Sequence, residues 1–159
     1  MLTISRETDY AVRLMVHMAT QPDVRHQAKT IAREESIPES FLFKILQTLI
    51  KRRLLTSYRG FGGGYQLAVD PESLSLYRLL EAVEGPIGLN ACVVSGIGCE
   101  LTTQCGVHDI WGIAQAQLRK TLEGISVAEL SRRTQEKRAR FAEQFPAPAE
   151  FPSAASSLD

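Results

Sequence analysis

The sequence contains very little cysteine: three residues, all between positions 92 and 105. An odd number of thiols cannot all pair within one chain, so the sequence offers no disulfide framework. It also lacks an apolar run of about 18 residues, the length that a membrane-spanning helix needs. The stretch Ala11–Ala19 is interrupted by Arg13 and His17, which excludes the apolar core of a signal peptide. These absences predict a cytoplasmic protein without membrane contact.

The chain has no net charge, because 18 Lys and Arg balance 18 Asp and Glu. The charge is nevertheless uneven along the chain. Residues 1–69 carry ten Lys and Arg against six Asp and Glu, and residues 70–159 carry the opposite excess. A basic half on a neutral chain is consistent with a polyanionic partner, although an excess of this size is also ordinary for a solvated surface.

No catalytic motif is evident. The glycine-rich segment 60–64 lacks the Gly-Lys-Ser/Thr ending and the following helix that a phosphate-binding loop requires. The chain also lacks the C-x-x-C pair of a thiol-redox enzyme. We therefore expect a binding protein with no catalytic residues. At 159 residues the chain has room for one modest core, or for a small domain with an appended element.

The first half has the periodicity of amphipathic helices. Apolar residues at i, i+3, i+4 and i+7 predict a first helix that Ser5 caps, with Glu7 and Asp9 in its first turn. A short second helix is predicted over 28–35, and Pro38 is expected to occupy the first position of a third. The residues expected to face the core are Ala11, Leu14, Met15, Met18, Ala28, Ile31, Ala32, Leu42, Ile45, Leu46 and Leu49.

Two short helices joined by four residues are typical of a helix-turn-helix, whose second helix enters the DNA major groove. The outer face of that helix consists of Ser40, Phe43, Lys44, Gln47 and Lys51. Such a polar face is usually only solvated, and Phe43 fits either the edge of the core or contact with a thymine methyl.

Two strand-like segments, 55–59 and 65–69, flank a tip of four glycines and Phe61. Glycine permits positive φ and close approach of the backbone, which favours a hairpin. A hairpin directly after a helix-turn-helix is a wing, and Arg59 at its tip is suited to a minor groove.

The only four soft or borderline metal ligands close together in sequence are Cys92, Cys99, Cys105 and His108, with the spacing C-x6-C-x5-C-x2-H. Structural zinc usually requires tighter C-x2-4-C pairs. Wider spacing suits a larger group, and thiolates are the usual ligands of iron–sulfur clusters. The residues alone leave three hypotheses open: a cluster, a zinc-stabilised interaction module, or redox thiols.

A long helix is predicted to begin at Val107. Its apolar face is expected to need a partner and consists of Ile110, Trp111, Ala114, Leu118 and Leu122. A further helix opens with the capping box of Ser126 and Glu129. Residues 146–159 are rich in Pro, Ala and Ser and are predicted to be disordered.

The order of the motifs TDYAVR, FLFKILQTL, RGFGGGYQL, LLEAVEG and the three-cysteine loop resembles the IscR, NsrR and RirA group of bacterial iron–sulfur transcription regulators. FLFKILQ is most similar to the RirA branch. The resemblance implies a winged helix-turn-helix homodimer that binds inverted-repeat operators in double-stranded DNA, with Ser40, Phe43 and Arg59 at DNA-reading positions. Pro38 and Phe43 replace the Ser and Glu of IscR, so the base preferences of IscR do not carry over.

The resemblance also implies that Cys92, Cys99 and Cys105 hold an iron–sulfur cluster. His108 matches the histidine ligand of IscR and favours a 2Fe-2S cluster. Asp9 matches the carboxylate that NsrR draws from the other subunit to complete a 4Fe-4S cluster. We expect His108 to be the fourth ligand, because it follows Cys105 by three residues and needs no second subunit.

Together these patterns predict a mainly α protein with a small β-hairpin. The predicted units are a winged helix-turn-helix domain in 1–85, a cluster-binding loop in 86–108, dimerisation helices in 109–145 and a disordered tail in 146–159. The expected function is that of a DNA-binding transcription regulator, a repressor, whose operator binding is switched by a cluster that senses iron, nitric oxide or redox state.

Overall fold

The computed structural model describes residues 4–94 and 99–145. The tail predicted for 146–159 and part of the predicted cluster loop lie outside the described residues. The described elements are α1 (Arg6–Met18), α2 (Ala28–Glu34), α3 (Glu39–Lys51), β1 (Leu55–Tyr58), β2 (Gly64–Leu67), α4 (Leu76–Glu84), a 3-10 turn (Ala91–Val93), α5 (Gly106–Glu123) and α6 (Val127–Gln144). The predicted fold class, mainly helical with one small hairpin, is confirmed.

The core lies between α1, α3 and α4, with α2 and the start of α6 closing its sides. Of the residues predicted to face it, nine are buried, and Ala28 and Ala32 are partly buried beside them. Each fully buried Leu, Ile or Met contributes on the order of 1.5–3 kcal/mol through removal of apolar surface from water. The helical periodicity therefore identified the core of the first half correctly.

The N-terminus of α1 is fixed both locally and by α4. The side-chain oxygen of Ser5 accepts a hydrogen bond from the backbone N–H of Thr8 at 3.2 Å, as the predicted cap requires. The carboxylate of Glu84 accepts from the backbone N–H of Ser5 and the hydroxyl of Thr8, both at 2.8 Å. These bonds from Ser5 and Thr8 hold the pKa of Glu84 below its ordinary value.

The prediction that Pro38 occupies the first helical position is wrong by one residue. Pro38 has an extended conformation (φ −61°, ψ 139°) and is the N-cap of α3. Its fixed φ suits either position, and its carbonyl accepts the first hydrogen bonds of the helix, from Phe41 at 3.0 Å and Leu42 at 3.1 Å. Residues 35–38 form the four-residue connection expected of a helix-turn-helix, because α2 ends at Glu34, one residue before its predicted end, and α3 begins at Glu39.

The predicted wing is a two-stranded antiparallel hairpin, in which Leu55 pairs with Leu67 and Tyr58 with Gly64. The strands are shorter than expected, so that Arg59 belongs to the tip. A third segment extends the hairpin, because His26 and Tyr65 exchange backbone hydrogen bonds of 2.7 and 2.9 Å. The wing is therefore anchored to the connection between α1 and α2.

The start of α6 belongs to the same core as the winged helix-turn-helix. Val127 is fully buried, and Ala128 and Ser131 are nearly so. The capping box is half formed: Ser126 accepts from the backbone N–H of Glu129 at 3.1 Å, but the Glu129 side chain pairs with Arg133. This packing of α6 on α1 was not anticipated from the sequence.

A buried carboxylate connects α6 to the helix-turn-helix. Arg138 donates two hydrogen bonds to Glu35, at 2.8 and 3.1 Å, and Nδ1 of His17 lies 3.0 Å from the same carboxylate. Burial raises the pKa of Glu35, but the hydrogen bonds from Arg138 and His17 outweigh it, and the pKa lies below its ordinary value. Arg13 also donates to the Glu35 carbonyl. The turn before α3 is thus joined to both α1 and α6.

Within the described residues, no helix is both long enough and apolar enough to cross a membrane.

Candidate metal centre and nucleic-acid interface

All three cysteines and His108 line one surface pocket of about 440 Å³ at the start of α5. The loop after α4 brings Cys92 to the pocket on the 3-10 turn, and the turns before α5 bring Cys99 and Cys105. The other described residues that line this pocket are Asn90, Ala91, Leu101, Val107 and Trp111. The structure therefore brings together the four side chains singled out from the sequence, and their role as ligands stays a prediction.

Backbone hydrogen bonds order this part of the chain around the cysteines. The carbonyl of Cys99 accepts from both the N–H and the hydroxyl of Thr102, at 3.2 and 2.7 Å. Cys105 is the N-cap residue of α5, its carbonyl accepts from the N–H of His108 at 3.0 Å, and its thiol makes no capping bond. The N-terminal end of this 18-residue helix favours negative charge, such as thiolates that bind a metal.

His108 carries a buried atom that needs a partner. Its Nδ1 is shielded from solvent and has no hydrogen-bond partner among the described residues. Leaving a buried polar atom unpaired costs about 1–3 kcal/mol. A ligand for the imidazole would offset that cost.

The donor set is chemically compatible with an iron–sulfur cluster. Within residues 4–94 and 99–145, no group of three or more His, Cys, Asp or Glu side chains is already close enough to hold one metal ion. Three thiols and one imidazole line one pocket of about 440 Å³, and these ligand types occur in iron–sulfur clusters as well as in zinc sites.

Asp9, the alternative fourth ligand, is not at this pocket in its own chain. It lies on the outer face of α1, its side chain is mostly exposed, and it forms an ion pair of 3.8 Å with Arg13. Asp9 does not line the cysteine pocket. It could reach a cluster only from a second subunit.

Helix α5 exposes an apolar face beside the pocket. Its most exposed large apolar residues are Val107, Ile110, Trp111 and Ile113. Of these, Ile113 was not predicted. The cysteine loop is attached to α5 at Gln115, whose side chain accepts from the N–H of Leu89 and donates to the carbonyl of Ile87, both at 2.9 Å.

The predicted DNA-binding residues of α3, Ser40, Phe43, Lys44 and Gln47, are all exposed. Phe43 is 53% exposed, so the interpretation that places it at the edge of the core is wrong. Lys44 has a partner that the sequence did not indicate: its ammonium lies 2.6 Å from the carboxylate of Glu7 in the first turn of α1. A phosphate would have to compete with Glu7 for this lysine.

Arg59 is exposed at the wing tip and lines a groove between the wing and α2–α3. Sequence reasoning missed two side chains that hold this tip. The guanidinium of Arg25 lies 4.0 Å from the centre of the Tyr58 ring and donates to the carbonyl of Gly62 at 3.4 Å, and Gln27 donates to the carbonyl of Gly63. The only available signal was their polarity, because both partners are more than thirty residues away in sequence.

Residues 4–133 match the Rrf2 family, which is described as iron-dependent transcriptional regulators. The chain belongs to the Rrf2 family. One relative is a protein of Mycobacterium tuberculosis (strain ATCC 25618 / H37Rv) that is named as a putative HTH-type transcriptional regulator. It is 33% identical to this chain over 137 residues, which cover 82% of this chain and 81% of the relative. The HTH-type transcriptional regulator IscR of Vibrio campbellii is 29% identical over 122 residues, 76% of this chain and 72% of its own.

Solved structures confirm the fold of this Rrf2 protein. CymR, the global cysteine regulator of B. subtilis, superposes with a TM-score of 0.68 at 23% identity and covers 82% of this chain and 97% of its own. T. potens IscR superposes with a TM-score of 0.63 at 23% identity, and the match covers 93% of this chain and 94% of T. potens IscR. The family resemblance found in the motifs is therefore confirmed. The chain is a DNA-binding transcription regulator, and its relatives are named as regulators rather than enzymes.

Proposed function

We propose that this Rrf2 protein is a homodimeric repressor whose operator binding is switched by an iron–sulfur cluster that responds to iron, nitric oxide or redox state. The observation that carries the proposal is the convergence on one pocket at the start of α5 of three free thiols and an imidazole nitrogen that has no hydrogen-bond partner among the described residues.

Cys92, Cys99 and Cys105 would hold the cluster, with His108 as the fourth ligand. When bound, the cluster supplies redox-active and chemically labile iron, which is the basis of sensing. The chain orients the ligands through the 3-10 turn, the Thr102 hydrogen bonds and the N-cap position of Cys105.

Membership of the family is not sufficient evidence that this chain binds an iron–sulfur cluster. One solved protein of the same fold, CymR, is described as a cysteine regulator, and another is IscR. The proposal therefore rests on the thiols and the imidazole of this chain. A zinc-stabilised or thiol-redox interaction module remains the competing hypothesis, because zinc also binds cysteine and histidine.

The apolar face of α5 supports the homodimer. Ile110, Trp111 and Ile113 are exposed along one helix, and aromatic and large aliphatic residues are typical of the buried centre of an interface. Burial recovers about 25 cal/mol for each Å² of apolar surface removed from water. A dimer formed there would present two copies of α3 to the two halves of an inverted repeat, about one helical turn apart.

A continuous series of contacts supports communication between the pocket and α3. Gln115 of α5 binds the cysteine loop, and the segment after α5 is attached to the start of α4 through a 2.8 Å hydrogen bond from the N–H of Leu76 to the carbonyl of Ile125. From there α6 packs on α1, and Arg138 binds Glu35 in the turn before α3. A change at the start of α5 can therefore be transmitted to α3 through packed elements.

The proposed switch is tested by removing the metal. Protein purified without oxygen should contain iron and sulfide. The DNA duplex for the experiment is one that this protein has selected from a random pool. We expect the affinity of the protein for that duplex to change by about tenfold or more on treatment with a chelator. Fluorescence anisotropy measures the affinity, and metal analysis accompanies it. Stoichiometric zinc without sulfide would contradict the cluster and support the interaction module. Equal affinity of both forms would contradict the switch.

The DNA-binding face predicts two different losses. If Lys44 contacts phosphate, Lys44→Ala should weaken binding to every duplex and reduce the slope of log affinity against log salt by about one. If Arg59 enters a groove, Arg59→Ala should instead reduce discrimination between sequences, by on the order of 1–3 kcal/mol. The measurement is anisotropy over a salt series on selected and random duplexes.

Two control variants sharpen this experiment. Glu7→Gln removes the carboxylate that pairs with Lys44, so it should bind at least as tightly as the wild type. Lys137→Ala removes an exposed lysine on α6, outside the proposed face, and should leave the slope unchanged. Unchanged binding by both Lys44→Ala and Arg59→Ala would eliminate this face as the DNA contact.

A further inference from the structure

Phe61 is the most exposed large apolar side chain among the described residues, with a relative exposure of 110%. It lies at the tip of the wing, two residues after Arg59, and both line the groove between the wing and α2–α3. A single exposed apolar residue is common on protein surfaces and needs no explanation by itself. Three properties of its surroundings make Phe61 different.

The first property is the turn that carries it. The N–H of Gly63 donates to the carbonyl of Gly60 at 3.0 Å, so residues 60–63 form a tight turn with Phe61 at its second position. Gly62, at the third position, has φ +72°, as a type II turn requires. Phe61 therefore occupies the corner of the turn and projects into solvent.

The second property is the fixation of the tip. Arg25 stacks on Tyr58 and donates to Gly62, Gln27 donates to Gly63, and the backbone of His26 pairs with Tyr65. Gly64 permits this approach, because a Cβ atom there would lie 2.7 Å from the carbonyl oxygen of His26. A preordered tip loses little conformational entropy when it binds a partner.

The third property is the charge around it. Arg59 and Lys29 line the same groove as Phe61, with no Asp or Glu among the described lining residues, and Phe43 adds a second exposed phenyl ring. Positive charge beside exposed aromatic rings matches a nucleic acid, which offers phosphates outside and apolar base faces inside.

We propose that Phe61 enters the DNA minor groove beside Arg59 as an apolar wedge and partly unstacks the base step beneath it. Proteins that bind the minor groove insert Phe, Leu, Ile, Met or Pro in this way and kink the duplex. Pyrimidine–purine steps unstack at the lowest energy, so the wing selects such a step through deformability rather than base hydrogen bonds. This inference rests on the part of the proposed function that places the wing on DNA.

The test compares Phe61→Ala and Phe61→Leu with wild-type protein on a short duplex that the wild type has selected from a random pool. 2-Aminopurine placed at the selected pyrimidine–purine step reports unstacking by its fluorescence. Phe141→Ala is the matched control, because it removes another mostly exposed phenyl ring, on α6. Circular dichroism checks that the variants are folded.

We expect Phe61→Ala to weaken binding on the order of tenfold, with an unchanged salt slope since no charge is lost. The 2-aminopurine signal should rise with wild type and with Phe61→Leu, which keeps an apolar wedge, and should stay low with Phe61→Ala. Phe141→Ala should behave as wild type.

The wedge would be refuted if Phe61→Ala bound the duplex with the affinity of the wild type and gave the same 2-aminopurine signal. Equal losses in Phe61→Ala and Phe61→Leu without any fluorescence change in wild type would also refute the wedge, because no base step would then be unstacked. If Phe61→Ala binds normally while Arg59→Ala does not, the wing contacts DNA without a wedge. If both bind normally, the wing placement itself fails.

Discussion

Alanine in place of Cys92, Cys99 or Cys105 is expected to abolish the visible absorption, the iron and the sulfide of protein purified without oxygen. The three thiols line one pocket, and each replacement removes one of the strongest ligands available there. Among the described residues, the other side chains that line the pocket are Asn90, Ala91, Leu101, Val107 and Trp111, and none of these is a carboxylate, imidazole or thiol that could take over. The measurements are absorption spectroscopy and iron and sulfide analysis on each single variant.

The matched control for these variants is Thr103→Ala. Thr103 lies in the same stretch between Cys99 and Cys105 and is exposed, so its replacement should leave iron and sulfide at the wild-type level. Wild-type amounts of iron and sulfide in any one of the three cysteine variants would contradict the assignment of that cysteine as a cluster ligand. Retention of zinc, with no sulfide in wild-type protein, would favour the interaction module instead.

Local patterns in the sequence predicted most of the fold. The spacing of Leu42, Ile45, Leu46 and Leu49 identified one helix face, and the same four residues are buried in α3. Hairpin and helix caps are likewise local features, because a turn or a cap depends on residues only a few positions apart. The one-residue error at Pro38 arose since its fixed φ is compatible with both the N-cap and the first helical position.

Contacts between distant residues could not be predicted in the same way. Glu35 and Arg138 are 103 residues apart, and nothing near either residue indicates the other. The pair of Lys44 with Glu7 is 37 residues apart, so a lysine that looked free for phosphate has a carboxylate partner. Both pairs exist only because α1 packs on α3 and α6, which helical periodicity does not specify.

The cysteine pocket and the wing differ in how close in sequence the residues that form them are. The cysteines and His108 lie within seventeen residues, so their convergence on one pocket required only a compact loop. The wing needs Arg25 and Gln27 from before α2 to fix a tip that begins at Arg59, and this dependence was invisible in the motif RGFGGGYQL. The sequence therefore indicated which residues carry the chemistry of the wing but not which residues hold them in position.

His108→Ala is expected to change the absorption and electron paramagnetic resonance spectra of the cluster and to lower the stability of the cluster. Asp9→Ala should leave the spectra and the stability of the cluster unchanged. His108 lines the cysteine pocket one turn from Cys105, and its Nδ1 is buried without a partner among the described residues. Asp9 is exposed on α1, is paired with Arg13 and lies away from the pocket in its own chain. Loss of that exposed ion pair should cost less than about 1 kcal/mol of stability.

The comparison requires both variants to be reconstituted without oxygen and measured beside wild type. Asp109→Ala serves as a control, because it removes an exposed carboxylate from the first turn of α5 without touching a proposed ligand. It therefore separates loss of a ligand from loss of a charge near the helix N-terminus. An altered cluster in Asp9→Ala together with an intact one in His108→Ala would reverse the assignment. The fourth ligand would then come from the second subunit, and dimer formation on α5 would be a requirement for the complete cluster site rather than only for binding an inverted repeat.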